Sequence, residues 1–212
     1  MIENRINLDL MSFVEQHILP RYNQFGASHG ISHVQHVIKN SLELARKLGA
    51  DVDMAYTVAA YHDLGLSGPR AIHHLTGGKM LASDARLKRW FTPEQITIMR
   101  EAVEDHRASA SHSPRNIYGK IVAEADRDLE PEHVFRRTIQ FIIEHEPQKD
   151  KQSRWLRFCA HMNEKYSNSG YIRLWISNSP NEQYLKSIRQ TIEDTELLRR
   201  YFDRIYEEET NR

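Results

Sequence analysis

Cysteine is almost absent: Cys159 stands alone among 212 residues. One cysteine excludes an intramolecular disulfide and fits a reducing compartment. A surplus of either charge is also missing, because 29 lysines plus arginines meet 29 aspartates plus glutamates. Such a balance gives no global field for long nucleic acid or an acidic membrane, although it leaves room for a local basic pocket. No apolar run approaches the roughly 20 residues of a membrane span. The opening MIENRINLDLMSFVEQHILP lacks the apolar centre of a signal peptide, so the expected location is the cytoplasm. Internal repeats, low-complexity tracts and clear linkers are missing too. The expectation is therefore a single all-α domain over residues 1–212, long enough to bury about 70% of its unfolded surface.

What the sequence does have is histidine, twelve in all, of which eight fall between His29 and His112. Val34, Val37, Ile38, Leu42, Ala45 and Leu48 recur at three- and four-residue spacing, the pattern of an amphipathic helix that Gly49 stops. A second helix over about 52–64 carries Met54, Ala55, Val58, Ala59 and Tyr61, too apolar for a surface helix. It ends in His62-Asp63, a pair costly to bury unless a metal ion or another partner compensates it. Adjacent helical residues point about 100° apart. His62 and Asp63 therefore share an ion lodged between helices, or Asp63 bridges two ions, and His33 is within reach as a further ligand.

The rest of the chain reads as helix after helix. Residues 7–20 form an opening helix stopped by Pro20, and 21–30 a polar loop delivering His29. Residues 64–78 read as a loop and about 78–90 as a helix. Thr92-Pro93-Glu94-Gln95 is a capping box, and its helix runs to Glu104-Asp105-His106-Arg107. Ser113-Pro114 opens a helix reaching Asp126. Further helices cover about 132–144 and 153–166, and a second capping box at Ser179 opens a last one to about Glu208. Residues 171–177, YIRLWIS, fit a short strand or a buried helical turn.

The order His33, His62-Asp63, Asp126, each on a helix, resembles the HD-domain metal-dependent phosphohydrolase superfamily over about residues 25–130. His33 in ISHVQHV matches the family's first histidine, His62-Asp63 its doublet and Asp126 in IVAEADR its closing aspartate. The resemblance implies an HD-like helical bundle with a helical extension over 131–212, and a divalent ion held at these four positions. Branches of the superfamily that hold two ions use two further histidines; His73 or His74 before Thr76-Gly77-Gly78, and His106 in AVEDHRAS, are similar to these.

Such a site implies a phosphohydrolase, in which metal-activated water attacks the phosphorus of a nucleotide or another small phosphorylated metabolite. Asp63 would bridge two ions, and Asp105 or His29 would move protons. Arg70, Arg107, Arg115 and Lys120 are the cations close in sequence, suited to phosphate oxygens. Ligands of imidazole and carboxylate type fit iron, manganese, cobalt, nickel or zinc, and magnesium less well. His36, one turn after His33, reads as facing solvent or substrate instead. Two alternatives remain from other classes: a di-iron oxygenase of similar fold, and a nucleotide- or metal-sensing module without turnover. The C-terminal helix and the tryptophans leave room for a homodimer.

Overall fold

Side-chain caps decide where most of the helices start, by taking up the free amide groups of a first turn. Asn7 accepts from the Asp9 and Leu10 N–H groups and opens α1, Leu8–His17. Helix α2, Ile31–Leu48, ends at Gly49, whose φ of 66° lets its N–H turn back to the carbonyls of Ala45 and Arg46. Asp51 caps α3, Val52–Tyr61, through the N–H groups of Asp53 and Met54. Helix α4 covers His73–Ser83. The reciprocal Thr92–Gln95 capping box opens α5, Pro93–Glu104. Asn116 caps α6, Ile117–Ala125. Four more follow: α7 Pro131–His145, α8 Lys151–Tyr166, α9 Pro180–Glu193 and α10 Thr195–Thr210.

This computed structural model describes residues 5–26, 29–110 and 112–211. Among them the protein is helical, with ten α-helices and no strand. It forms two compact units that divide between Asp126 and Arg127.

In the first unit, α3 is the central element. Every one of its residues except Asp53 is buried, and α1, α2, α4, α5 and α6 all pack against it. Several element bounds differ from the sequence expectation. Helix α3 stops at Tyr61, so His62 caps it and Asp63 lies just beyond. The expected loop over 64–78 is two short 3-10 turns followed by the first half of α4, with Gly77 and Gly78 inside that helix. Glycine costs about 1 kcal/mol against alanine in a helix interior. Here it permits close packing: a Cβ on Gly78 would sit 2.7 Å from Glu104 Cγ, and one on Gly77 would sit 3.2 Å from the His62 carbonyl oxygen. After Ser83 the chain continues as a 3-10 turn, Ala85–Arg89, because Asp84 ends α4 and caps the turn. The expected start at Ser113 is also displaced, since Asn116 is the residue whose side chain caps α6.

In the second unit, Phe135, Trp155, Phe158 and Phe202 form an aromatic core. The expected single last helix is broken at Asp194, which ends α9 and caps α10 through the Leu197 N–H at 2.9 Å. Ser179 is the N-cap of α9 as expected, but without a side-chain cap bond, and Glu182 accepts from the Asn178 N–H. Residues 171–177 are neither strand nor helix. Their buried side chains, Ile172 and Ile176, anchor an irregular segment tied to the end of α8 by N–H bonds from Tyr171 and Ile172 to the Glu164 and Lys165 carbonyls.

Candidate metal centre

Five helix ends converge in the first unit, and each delivers one or two titratable side chains. His33 lies in the first turn of α2, and His73 is the first residue of α4. His62 and Asp63 follow α3, His106 lies just past the end of α5, and Asp126 caps α6. Placing Asp63 and Asp126 at the negative ends of α3 and α6 is unfavourable unless positive charge compensates.

Their reactive atoms meet closely. His33 Nε2 lies 3.2 Å from His62 Nε2 and 3.2 Å from Asp126 Oδ1. His73 Nε2 lies 3.2 Å from His106 Nε2. Asp63 sits between the two sets. Its Oδ2 is 3.4 Å from His62 Nε2 and 3.6 Å from His33 Nε2, while its Oδ1 is 3.5 Å from His73 Nε2 and 3.6 Å from His106 Nε2. Among the described residues, three groupings of donor atoms are close enough to hold an ion: His33, His62 and Asp126; Asp63, His73 and His106; and His29, His33 and Asp63.

The ring tautomers fit metal ligation. His62 Nδ1 lies 2.7 Å from the Ala59 carbonyl, His106 Nδ1 2.6 Å from that of Val103, and His73 Nδ1 2.8 Å from that of Arg70. A carbonyl only accepts, so each Nδ1 carries the proton and each Nε2 presents a lone pair to the cluster. All three rings use a carbonyl three residues earlier. This is the second partner that commonly fixes a metal-ligating histidine. Lone pairs converging on the buried Asp63 and half-buried Asp126 carboxylates make a donor set that a divalent cation satisfies.

Without a cation the imidazoles and carboxylates shift one another's pKa values. Burial pulls the His33 pKa down, but bonds to Asp126 and Asp63 outweigh it and raise it to about 9. Burial likewise pulls the His62 pKa down, but the Asp63 charge outweighs it and raises it. Burial raises Asp63 and Asp126, yet the surrounding imidazoles prevail. Asp63 falls well below the usual carboxylate range, through His62 above all, and Asp126 falls to about 2 through His33. Burial holds His73 below its ordinary value.

The other residues singled out from the sequence take different places. His29 donates from Nδ1 to Asp63 Oδ2 at 2.8 Å and is about a third exposed. His74 stays outside the three groupings; its Nδ1 has no hydrogen-bond partner among the described residues, and burial and Arg107 lower its pKa to about 4. Asp105 is buried but joins no grouping. Arg115 holds it through Nε at 2.9 Å, Nη2 at 2.9 Å and the backbone N–H at 2.8 Å, and also bonds Glu104. Both are thus engaged with each other. Arg107 donates to the Ala71 carbonyl at 2.8 Å and its charge reaches His73 and His74. Arg70 is exposed, and Lys120 half-buried on α6. His36 pairs with Asn40 on the exposed side of α2. Tyr22 is a fully buried residue that nothing in the sequence marks out, with its ring stacked 6.4 Å from that of His62.

Residues 30–129 match the family model described as HD domain. Among solved structures, the chain is similar to a predicted HD superfamily hydrolase from an uncultured Thermotogales bacterium. The two share 19% identity over 95% of each chain, with a TM-score of 0.50, a likeness of fold. No curated protein matches the sequence.

Proposed function

Because the chain carries an HD domain at residues 30–129, we propose that it is a metal-dependent phosphohydrolase with a two-ion centre, acting on a nucleotide or another small phosphorylated metabolite. One observation carries this reading: the two oxygens of Asp63 face two separate sets of imidazole nitrogens. His33, His62, Asp126 and Asp63 Oδ2 would hold one divalent ion, and Asp63 Oδ1, His73 and His106 the other. Bound divalent ions supply water of near-neutral acidity and neutralise charge on phosphoryl oxygens. The imidazole-rich donors suit iron, manganese, cobalt, nickel or zinc better than magnesium.

The chain's own residues supply the remaining functions. His29 spends its Nδ1 proton on Asp63, which leaves Nε2 as the basic nitrogen able to take a proton from attacking water. The Arg107 guanidinium, pinned to the Ala71 carbonyl, puts a fixed positive charge beside the second set and suits a phosphate oxygen. Arg70 and Lys120 are further candidates for the substrate's charge. A net charge of zero favours a small substrate over long nucleic acid. The chemistry and the lone half-buried Cys159 fit a cytoplasmic enzyme, and no helix of the described residues is long and apolar enough to cross a membrane. A homodimer is part of the same proposal.

The test is metal content after purification without chelator, together with phosphate release from a panel of nucleotides and phosphoesters under several divalent ions. Bound metal and phosphate release, both lost in Asp63→Ala, are the expected results. Metal with dioxygen consumption and no phosphate release would replace hydrolysis with oxygenation. Nucleotide binding without turnover under every ion would make the protein a sensor.

A further inference from the structure

The carboxylate between the two imidazole sets belongs to a residue outside any helix. Asp63 follows the cap of α3, where the chain leaves the helix. A helix end leaves its last carbonyls without intrahelical partners, and it frays unless other groups take them up.

Tyr22 supplies one such group. Its hydroxyl donates to the Ala60 carbonyl at 3.0 Å and accepts from the Asp63 N–H at 3.3 Å. One oxygen atom thus joins the last turn of α3 to the residue just beyond it. The His62 ring takes the neighbouring Ala59 carbonyl at 2.7 Å, so the two side chains together satisfy consecutive carbonyls of the helix end. The tyrosine is fully buried, and its ring stacks on that of His62. It comes from a 3-10 turn, Leu19–Gln24, forty-one residues before Asp63.

We propose that Tyr22 is a positioning residue for the metal centre: its hydroxyl fixes the Asp63 backbone so that the carboxylate presents one oxygen to each set of imidazoles. The inference rests on Asp63 being a metal ligand, and does not depend on the substrate. Partners that orient a ligand typically contribute about 10- to 100-fold to metal affinity. A phenylalanine at position 22 keeps the ring, its stacking and its volume, and removes only the oxygen.

The test compares full-length wild type, Tyr22→Phe and Tyr61→Phe by titration with cobalt(II) alone, followed by its visible absorption spectrum. Tyr61 is the control, a fully buried tyrosine of α3 whose hydroxyl instead bonds Asp84 at 2.7 Å. Thermal unfolding in chelator is measured for all three. Tyr22→Phe is expected to bind cobalt about tenfold or more weakly, with an altered spectrum, while Tyr61→Phe keeps the wild-type affinity and spectrum. A Tyr22→Phe protein with wild-type affinity and spectrum would overturn the assignment. So would equal weakening in both variants that follows their loss of thermal stability. Absence of cobalt binding in the wild type would overturn the metal centre itself, and the role of Tyr22 with it.

Discussion

His73 and His106 face each other through their Nε2 atoms at 3.2 Å, although thirty-three residues separate them in the chain. Each donates its Nδ1–H to a backbone carbonyl, so two lone pairs are turned toward one another. Two such lone pairs repel, and a cation between them relieves it. Under the proposed two-ion centre a divalent ion would take this place, so occupancy of this half should depend on His106 and that of the other half on Asp126.

His106→Ala is therefore expected to lose one ion and keep the other, and Asp126→Ala to weaken the opposite site. At the affected site the loss should exceed the roughly 10- to 100-fold typical of partners one step removed from the ion. Metal analysis after dialysis, with calorimetric titration, reads this directly. Two variants that lose all metal together would mean a single centre.

The metal-free protein should lose stability as pH rises. His33 has a folded-state pKa of about 9, above its unfolded value of about 6.5. A raised pKa contributes stability that is fully present below the unfolded value and is lost on passing up through the folded one. Melting in chelator should accordingly fall between pH 6.5 and 9. Loaded protein should move the other way, since protons compete with metal for the same lone pairs. Thermal melts at pH 6.5 and 9, with and without metal, check both signs.

Arg115→Ala should destabilise the first unit by about 3 kcal/mol, because it removes the guanidinium and leaves the Asp105 carboxylate, whose side chain is only 1% exposed, with only the backbone N–H among its bonds to residue 115. Arg115→Lys should recover only part of this, as an ammonium cannot reproduce the forked contact through Nε and Nη2. Denaturant unfolding in chelator measures the cost without interference from metal.

Gly65→Ala should cost about 3 kcal/mol or more and weaken the His73 half of the centre. A Cβ at Gly65 would overlap the carbonyl of His73 and lie 2.7 Å from the Gly77 nitrogen. Both are backbone atoms that move only with the whole of α4. Melting temperature and metal content are the two readouts, and an unchanged melting temperature would contradict the packing described for this turn.

Much of this molecule is written locally. Val34, Val37, Ile38 and Leu42 announce α2 by their spacing, Thr92 and Gln95 announce the start of α5, and both are found there. Local signals were incomplete where a distant contact or a nearby side-chain cap decided the element. Gly77 and Gly78 suggested a loop, yet their missing side chains let α4 lie against Glu104 and His62. Pro114 suggested a helix start, but Asn116 had the side chain able to reach the first-turn amide. Asp194 interrupts a continuous helical pattern because its carboxylate can cap the second half.

For the centre, the sequence by itself determined which chemical groups are available and in what order, since imidazole and carboxylate identity need no fold to be read. Only the tertiary structure decided their use. It turned His73 inward and left His74 outside the groupings, a choice between neighbours about 100° apart on a helix whose rotation is set by packing. It also paired Asp105 with Arg115, and it brought the Tyr22 hydroxyl to the end of α3. Those contacts join residues ten and about forty positions apart. Local periodicity reports three- and four-residue neighbours, so long-range pairs of this kind exist only once the helices have packed.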